Sequence, residues 1–513
     1  MPIKVVFKTN TYIDSVSLMT LSNRACDIDG VEQAMIAMGT DMNKEVIKNI
    51  GLNTPEIEGA NSSDLMIVVK AATEELCENA FIEIEELFTK KAKKDPSDVK
   101  YSTIPSAVKS IPEANLAIIS VSGTYAAREA RKALENELHV MLFSDNISLE
   151  DEIQLKNLAH EKGLLLMGPD CGTAIIGDVA LCFANAVRKG NIGIVGASGT
   201  GSQEVTVLIH NLGGGITQLV GTGGRDLSEE VGGIMMLDGI KALEEDEATK
   251  VIILVSKPPA PSVEKKVLAQ IKNCSKPVVV CFMGGEEETT VQAGGHFAKT
   301  TEEAAFKAIS LAGISENNLN KSELNLELIE EVRSKLTTEQ KYIRGLFSGG
   351  TLCDEAMHAA MEKFDNVYSN IQRNPEYRLK DVNVSEGHTF IDFGDDQFTQ
   401  GKPHPMIDPS TRLARFMQDA KDPSVGVIVM DFVLGFGAHE DPAGAFLPAI
   451  IEAKQLAEEE GRHLEIVGYV LGTELDSQNI EEQVDKLVAA GVTIASSNAH
   501  AGLLAREFVV KGA

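Results

Sequence analysis

Three observations predict an α/β protein made of several parallel-sheet domains. Short apolar runs alternate with amphipathic helical stretches along almost the whole chain, the pattern of strands joined by crossover helices. Several of these runs end in glycine-bearing turns that open directly into helices. The chain has 513 residues, too many for one core, so three or four domains are expected.

Composition narrows the function classes. A formal net charge of −29 provides no basic stripe, so a nucleic-acid partner is not expected. The seven cysteines are scattered without CxxC spacing and predict neither a zinc site nor a disulfide framework. No run approaches the roughly 20 apolar residues of a membrane span, and MPIKVVFKTN is not a signal segment. A cytoplasmic protein without membrane contact is expected.

The elements follow in order. Strand-like runs at Lys4–Lys8, Val31–Met38 and Leu65–Lys70, with helices between and after them, predict a small α+β domain over 1–105. The polar stretch Thr89–Ser102 reads as a connection. A second domain, 106–188, has strands at Leu116–Val121, Val140–Phe143 and Leu164–Met167 and helices at Tyr125–Asn136 and Leu149–Lys162. A third, 189–314, has strands at Gly193–Val195, Ile216–Val220, Val251–Val255 and Val278–Phe282. A partly helical linker, 315–341, leads to a fourth, 342–513. Its strands fall near Leu346–Phe347, Phe390–Asp392, Val425–Asp431, Glu465–Val470 and Thr493–Ala495.

The turns at strand ends carry the chemistry. In NIGIVGASGTGSQE the residues Ser198, Gly199, Thr200 and Gly201 open a helix, where free N–H groups and the helix dipole attract anions. No Lys follows the last glycine and the spacing is not GxGxxG, so neither a Walker nor a dinucleotide loop is read. Close packing of helix on sheet explains the glycines equally well. A second loop, VLGFGA, with Gly435, Gly437 and Ala438, suggests one phosphate held between two helix ends. Gly223, Gly224 and Arg225 end another strand; Arg225 can clamp an acid bidentately or pair on the surface with Asp226 or Glu229. Lys257, in VSKPPAP, can neutralise an anion or lie solvated. The SGGT turn (Gly349, Gly350, Thr351) opens a further helix. FIDFGDDQFTQGKPHPMIDP gathers Asp392, Asp395, Asp396, His404 and Asp408, fit for Mg²⁺ or acid–base work or for capping turns. His296 and His439 stand alone.

These motifs resemble a known assembly. MGPDCGTAI, NIGIVGASGTGSQE, GTGGRD and KPVVVCFMGG, in that order, are similar to the α subunit of succinyl-CoA synthetase, from its CoA-binding domain through its ligase domain. From Arg344 onward SGGT, FGDD, VLGFGA and GVTIASSNAHAG resemble the C-terminal ligase domain of the β subunit. A single chain with these pieces behind a short α+β domain resembles the FdrA family. The resemblance implies Rossmann-like and flavodoxin-like, succinyl-CoA-synthetase-like domains. It makes 106–188 CoA-binding-like, 189–314 the α-type ligase domain and 342–513 the β-type one.

The resemblance also implies a site and an activity. In the synthetases two helix N-termini face one phosphohistidine; the matching positions are Ser198–Gly201 and Gly435–Ala438. The phosphohistidine loop is missing, His296 does not match it, and Lys257 replaces the carboxylate that orients that histidine. No nucleotide-binding ATP-grasp domain precedes the β-like half. The resemblance therefore implies a subunit of oxamate carbamoyltransferase, converting carbamoyl phosphate and oxamate to phosphate and oxalurate in allantoin breakdown with two further subunits. Under it, Ser198, Gly199, Thr200, Gly201, Gly435, Gly437 and Ala438 hold phosphate. Lys257, Arg225 and His404 are candidate catalytic residues, and Gly223, Gly224, Gly349, Gly350, Thr351, Asp392 and Asp396 line the substrate or a second site. CoA and Mg²⁺ are candidate cofactors, and an oligomer is expected. The alternative is an NDP-forming acyl-CoA synthetase completed by a separate ATP-grasp subunit.

Overall fold

The computed structural model describes every residue except 1, 10, 12, 14, 27, 29, 62–63, 90–100, 315–322, 400–401 and 511–513. The chain divides into two compact units, Met1–Tyr101 and Ser102–Ala513.

The first unit runs β1 (Ile3–Lys8), α1 (Ser15–Cys26), β2 (Val31–Met38), α2 (Asp41–Asn49), β3 (Leu65–Ala71) and α3 (Glu74–Thr89). Its sheet is antiparallel with order β1-β3-β2. The central strand LMIVVKA is apolar on both sides because alternate residues enter different cores. Ile67 and Val69 pack with Leu18, Cys77 and Ile84, and Met66 and Val68 with Ile47, Leu52 and Ile57. Most of the expected connection Thr89–Ser102 lies outside the described residues.

The second unit holds three sheets. After α4 (Ile104–Ser110), strands β4 (Leu116–Ile119), β5 (His139–Leu142) and β6 (Leu166–Met167) alternate with α5 (Gly123–Glu135) and α6 (Leu149–Lys162) in a small parallel sheet. Next come β7 (Thr173–Ile176), β8 (Val179–Cys182), β9 (Lys189–Gly196), α7 (Gly199–Asn211), β10 (Ile216–Gly221), α8 (Ile234–Glu245), β11 (Val251–Ser256), α9 (Pro261–Ile271), β12 (Val278–Phe282), α10 (Glu287–Gln292), β13 (His296–Phe297) and α11 (Thr301–Leu311). They form a seven-stranded sheet of order β13-β12-β11-β9-β10-β7-β8. The hairpin β7–β8 was not anticipated from the sequence. Its turn, Gly177–Asp178, has both residues at positive φ, the pairing that suits a tight hairpin.

The linker contains α12 (Leu326–Lys335), whose Ile329 and Val332 are buried in the last core; residues 315–322 lie outside the described residues. The last layer runs β14 (Tyr342–Phe347), α13 (Gly350–Met361), β15 (Val367–Ser369), β16 (His388–Asp392), α14 (Asp396–Thr399), α15 (Ser410–Ala420), β17 (Val425–Val433), α16 (Pro442–Glu459), β18 (Glu465–Leu471), α17 (Ile480–Ala489), β19 (Thr493–Ile494) and α18 (Asn498–Val509). Its sheet is wholly parallel, in the order β15-β16-β14-β17-β18-β19.

Both large sheets reverse direction of strand order at one place. β9 lies between β11 and β10, and β14 between β16 and β17. Ligands of open α/β sheets gather at the carboxyl end of the strand beside such a switch point. The turns that follow β9 and β14 are GASGTG and SGGT.

Candidate functional site

The two switch-point turns meet. Ser198 caps α7 and accepts the Gly201 N–H at 3.0 Å; its Oγ also lies 2.5 Å from the Thr351 hydroxyl of α13. Reciprocally, Gly349 caps α13 without a side chain, and a Cβ there would stand 2.6 Å from Thr200 Oγ1. At Gly201 a Cβ would come within 2.7 Å of Thr351 Cγ2. Two helix N-termini are thus crossed at their first turns, each threonine lying against the small residues of the other turn. Among the described residues no acceptor pairs with the N–H groups of Gly199, Thr200, Gly350 or Thr351. Unpaired first-turn donors at two dipole ends make an anion cradle. Beside it the buried Thr173 Oγ1 has no hydrogen-bond partner and lies 3.8 Å from a Cβ placed on Gly199.

The pairing differs from the one expected in one respect. Gly435, Gly437 and Ala438 are not at a helix end: α16 begins later, capped by Asp441. Gly435 and Gly437 have φ of 129° and 105°, and a Cβ on Gly435 would lie 2.6 Å from the Phe183 carbonyl. Phe436 N–H donates to Ala184 O at 3.1 Å. Those glycines allow the loop to press on the backbone of Phe183–Ala184, which ties the two ligase-like layers together. The partner of Ser198–Gly201 is Gly349–Thr351.

A buried ion pair missed in the sequence holds the SGGT turn. Asp431, at the end of β17, accepts the Ser348 N–H and hydroxyl at 2.9 Å and the Gly349 N–H at 3.1 Å. Arg412 of α15 pairs with it at 2.9 Å. Both side chains are fully enclosed, so neither has water to replace its partner.

The remaining candidates divide by position. Asp392 ends β16 beside α13; a Cβ on Gly350 would lie 2.5 Å from its Oδ2. Burial pushes its carboxyl up to about 7, while Lys257 and the Gly394 N–H pull the other way. His404 Nε2 and Asp392 Oδ1 both flank Gly394, 2.9 and 3.1 Å from its Cβ position. Burial and the Arg412 charge lower His404 to about 4. The imidazole is therefore neutral, and its Nδ1 accepts the Met406 N–H at 3.2 Å. Lys257 is exposed with no polar partner among the described residues, and its charge acts on Asp392 and Asp354. Asp396 is exposed and adds charge to Asp170, which burial and then Asp145 raise to about 7.

Arg225 does not serve as a free clamp, and it pairs with neither surface acid considered. Its Nε bonds Glu152 at 2.9 Å and its Nη2 the Ile147 carbonyl at 2.8 Å. Glu152 in turn pairs with the buried Lys156, which also holds Asp226. Gly223 is fixed by contact with the backbone at Pro169, whereas Gly224 faces open space. Asp395 and Asp408 cap local turns through Gln397 and Ser410. His439 likewise accepts the Asp441 N–H. His296 sits on the edge strand β13, level with Val279 near the start of β12, far from the carboxyl ends.

Behind the cradle the two helices continue their symmetry. Glu204 and Glu355, each the sixth residue after its cap, are buried and point at the N-terminus of the opposite layer's helix. Glu204 accepts the Asn498 N–H at 3.1 Å and Glu355 the Thr301 N–H at 2.8 Å. Burial, then the Glu355 charge, raises Glu204 from 4.5 to about 8. A carboxyl raised in the folded state contributes stability that is complete below its unfolded value and is lost as pH rises through the folded one. Stability should therefore fall between about pH 4.5 and 8. Denaturant titrations across that window should show a flatter profile for Glu204→Gln; an unchanged slope would contradict the assignment.

The chain is similar to known proteins in three segments. Residues 346–508 match the family of CoA-ligases, 187–284 the CoA binding domain, and 1–103 the AllF heavy metal-associated domain. YahF of Escherichia coli K12 is 61% identical over 512 residues, covering 100% of this chain and 99% of YahF. The α subunit 1 of ADP-forming succinate–CoA ligase from Archaeoglobus fulgidus is 29% identical over 241 residues, 46% of this chain and 80% of that one. Among solved structures, PH0766 of Pyrococcus horikoshii shares 15% identity with a TM-score of 0.37, covering 82% of this chain and 88% of its own. With the matches at 187–284 and 346–508, the sheets described above give a fold of the succinyl-CoA-synthetase type.

These families imply a metal in the first domain and CoA in the third. The first domain has only Cys26 and Cys77 and no histidine. Cys26 bonds the Ala34 carbonyl, and the buried Cys77 lies against Val69 O and Pro2 O. These two cysteines bond backbone carbonyls separately and do not form a paired-thiolate site. Among the described residues no group of three or more His, Cys, Asp or Glu is placed to hold a metal ion. The turns after β4, β5 and β6 offer Asp145 and Asp170 rather than cations, and the space over Gly123 is filled by the Asp145 carbonyl, 2.4 Å from a Cβ. These turns lie outside the CoA binding match at 187–284. Among the described residues no helix is long and apolar enough to cross a membrane.

Proposed function

The chain belongs to the family of YahF from Escherichia coli, and from the crossed helix ends and the resemblance of its motifs to the FdrA family we propose that it is a subunit of oxamate carbamoyltransferase. The observation that carries the reading is an anion cradle near Lys257, which has no polar partner among the described residues, in a chain without the synthetases' phosphohistidine loop. An acyl phosphate supplied ready-made suits such a site. The match of the first domain to the AllF family is in keeping with allantoin breakdown.

In this reading the phosphate of carbamoyl phosphate rests on the N–H groups of Gly199, Thr200, Gly350 and Thr351. The amide nitrogen of oxamate attacks the carbamoyl carbon, forming the C–N bond of oxalurate. The C–O bond to phosphate breaks and its electron pair leaves with the phosphate. Asp392 takes the proton lost by the nitrogen, and Lys257 with the two dipoles stabilises the departing charge.

Phosphate release from carbamoyl phosphate and oxamate, measured with the two expected partner subunits, tests the proposal. Lys257→Ala should lower the rate about 10- to 1000-fold, the range for removing one preorganised stabiliser of developing charge. No release in any combination would overturn it. The match of residues 346–508 to the CoA-ligases favours the second reading, an NDP-forming acid–thiol ligase completed by an ATP-grasp subunit. Stable phosphorylation of His296 or His358 after incubation with ATP and such a subunit would favour that reading instead.

A further inference from the structure

Arg225 is tied through Nε and Nη2 to Glu152 and the Ile147 carbonyl, and a second cation lies beside the cradle. Arg373 follows β15 in a segment anchored from below. The Asn370 side chain bridges the backbone of Asp392 with two 3.0 Å bonds. The buried Gln372 side chain accepts the Arg373 N–H at 2.9 Å. Thus fixed, Arg373 reaches across the mouth of α13. Its Nη2 lies 3.2 Å from Asp354, and its Nη1 lies 3.6 Å from a Cβ on Gly284 at the end of β12. Asp354 is its one side-chain partner among the described residues, and 47% of the Arg373 side chain remains exposed. His358, one turn along α13, bonds Asp354 through Nδ1 and presents Nε2 to the same Gly284 turn at 3.5 Å. Lys257, at the end of the neighbouring β11, acts on the same Asp354. In a chain of net charge −29, Arg373 and His358 thus contact one enclosed carboxylate beside the α13 N-terminus, and Lys257 adds its charge from the neighbouring strand.

We propose that Arg373, with Lys257 and His358, forms a pocket that binds the carboxylate of the acidic second substrate beside the phosphate cradle. Nε and Nη1 of Arg373 have no hydrogen-bond partner among the described residues and remain available to a carboxylate, and Asp354 holds the guanidinium in place through Nη2. The inference rests on the transfer reading only for the identity of the acid: oxamate in that reading, succinate in the ligase one.

Calorimetry on the full-length protein with inorganic phosphate, oxamate and succinate as separate probes tests it. Arg373→Gln should weaken oxamate binding at least about tenfold, the loss expected for a hydrogen bond to a charged group, and leave phosphate affinity unchanged. Arg373→Lys should recover part of the affinity. Unchanged oxamate affinity in Arg373→Gln, with phosphate still bound, would overturn the pocket and spare the cradle. No binding of either acid by the wild-type protein would also overturn it. Binding of succinate but not oxamate, lost in Arg373→Gln, would uphold the pocket and overturn carbamoyl transfer.

Discussion

Asp431→Ala is expected to cost about 3–5 kcal/mol, the usual result of removing one partner from a buried ion pair. The loss has two parts. Arg412 would be left charged in a site with 3% residue exposure, and its remaining acceptors, the carbonyls of Leu346 and Asp431, do not neutralise it. The Ser348 and Gly349 N–H groups would also lose their acceptor, so the turn that aims α13 at the cradle would loosen. Chemical denaturation should therefore show a lower midpoint, and phosphate binding should fall in the protein that stays folded. Asp431→Asn should cost less, because it keeps the shape and part of the hydrogen bonding. If Asp431→Ala matches wild type in midpoint and phosphate affinity, the turn is held by something else.

Gly349→Val is the second large effect. Its Cβ would overlap all three side-chain heavy atoms of Thr200 at 2.6–2.8 Å, and Thr200 sits inside the crossing with nowhere to move. Overpacking of this kind costs about 1–3 kcal/mol, and here the strain falls on the two helix ends that would hold the anion. Phosphate affinity should drop by more than the stability change alone accounts for. Gly224→Ala, over open space, is the matching control and should leave both quantities near wild type. Equal phosphate binding in Gly349→Val and wild type would show that the crossing does not shape the anion site.

Much of this architecture was legible in the chain. The β-branched runs of β9, β11, β12 and β17 are buried on both faces, as central parallel strands must be, and they stand out as continuous apolar runs. Both switch-point turns also stood out by their small residues. Their pairing did not: VLGFGA and SGGT are both glycine turns after apolar strands, and only the docking of two distant layers decides which faces Ser198. The Gly177–Asp178 turn between apolar runs was a readable hairpin signal.

Charges were the least legible. Asp431 and Arg412 resemble ordinary surface residues until β17 and α15 enclose them, and Arg225 resembles a clamp until Glu152 arrives from α6. Arg373 carries no motif. Its placement depends on the buried side chains of Asn370 and Gln372, which local sequence does not reveal. Asp392 was visible as one of several acids, but its separation from Asp395 and Asp408 follows from burial alone.

The central claim, that the crossed ends of α7 and α13 hold the phosphate of an incoming acyl phosphate, is tested most directly by a crystal structure of the protein soaked with carbamoyl phosphate. An anion within hydrogen-bond distance of the Gly199, Thr200, Gly350 and Thr351 N–H groups, approached by Lys257, is the expected result. An anion bound at the Gly435–Ala438 loop instead, or a cradle that stays empty at saturating ligand, would contradict it.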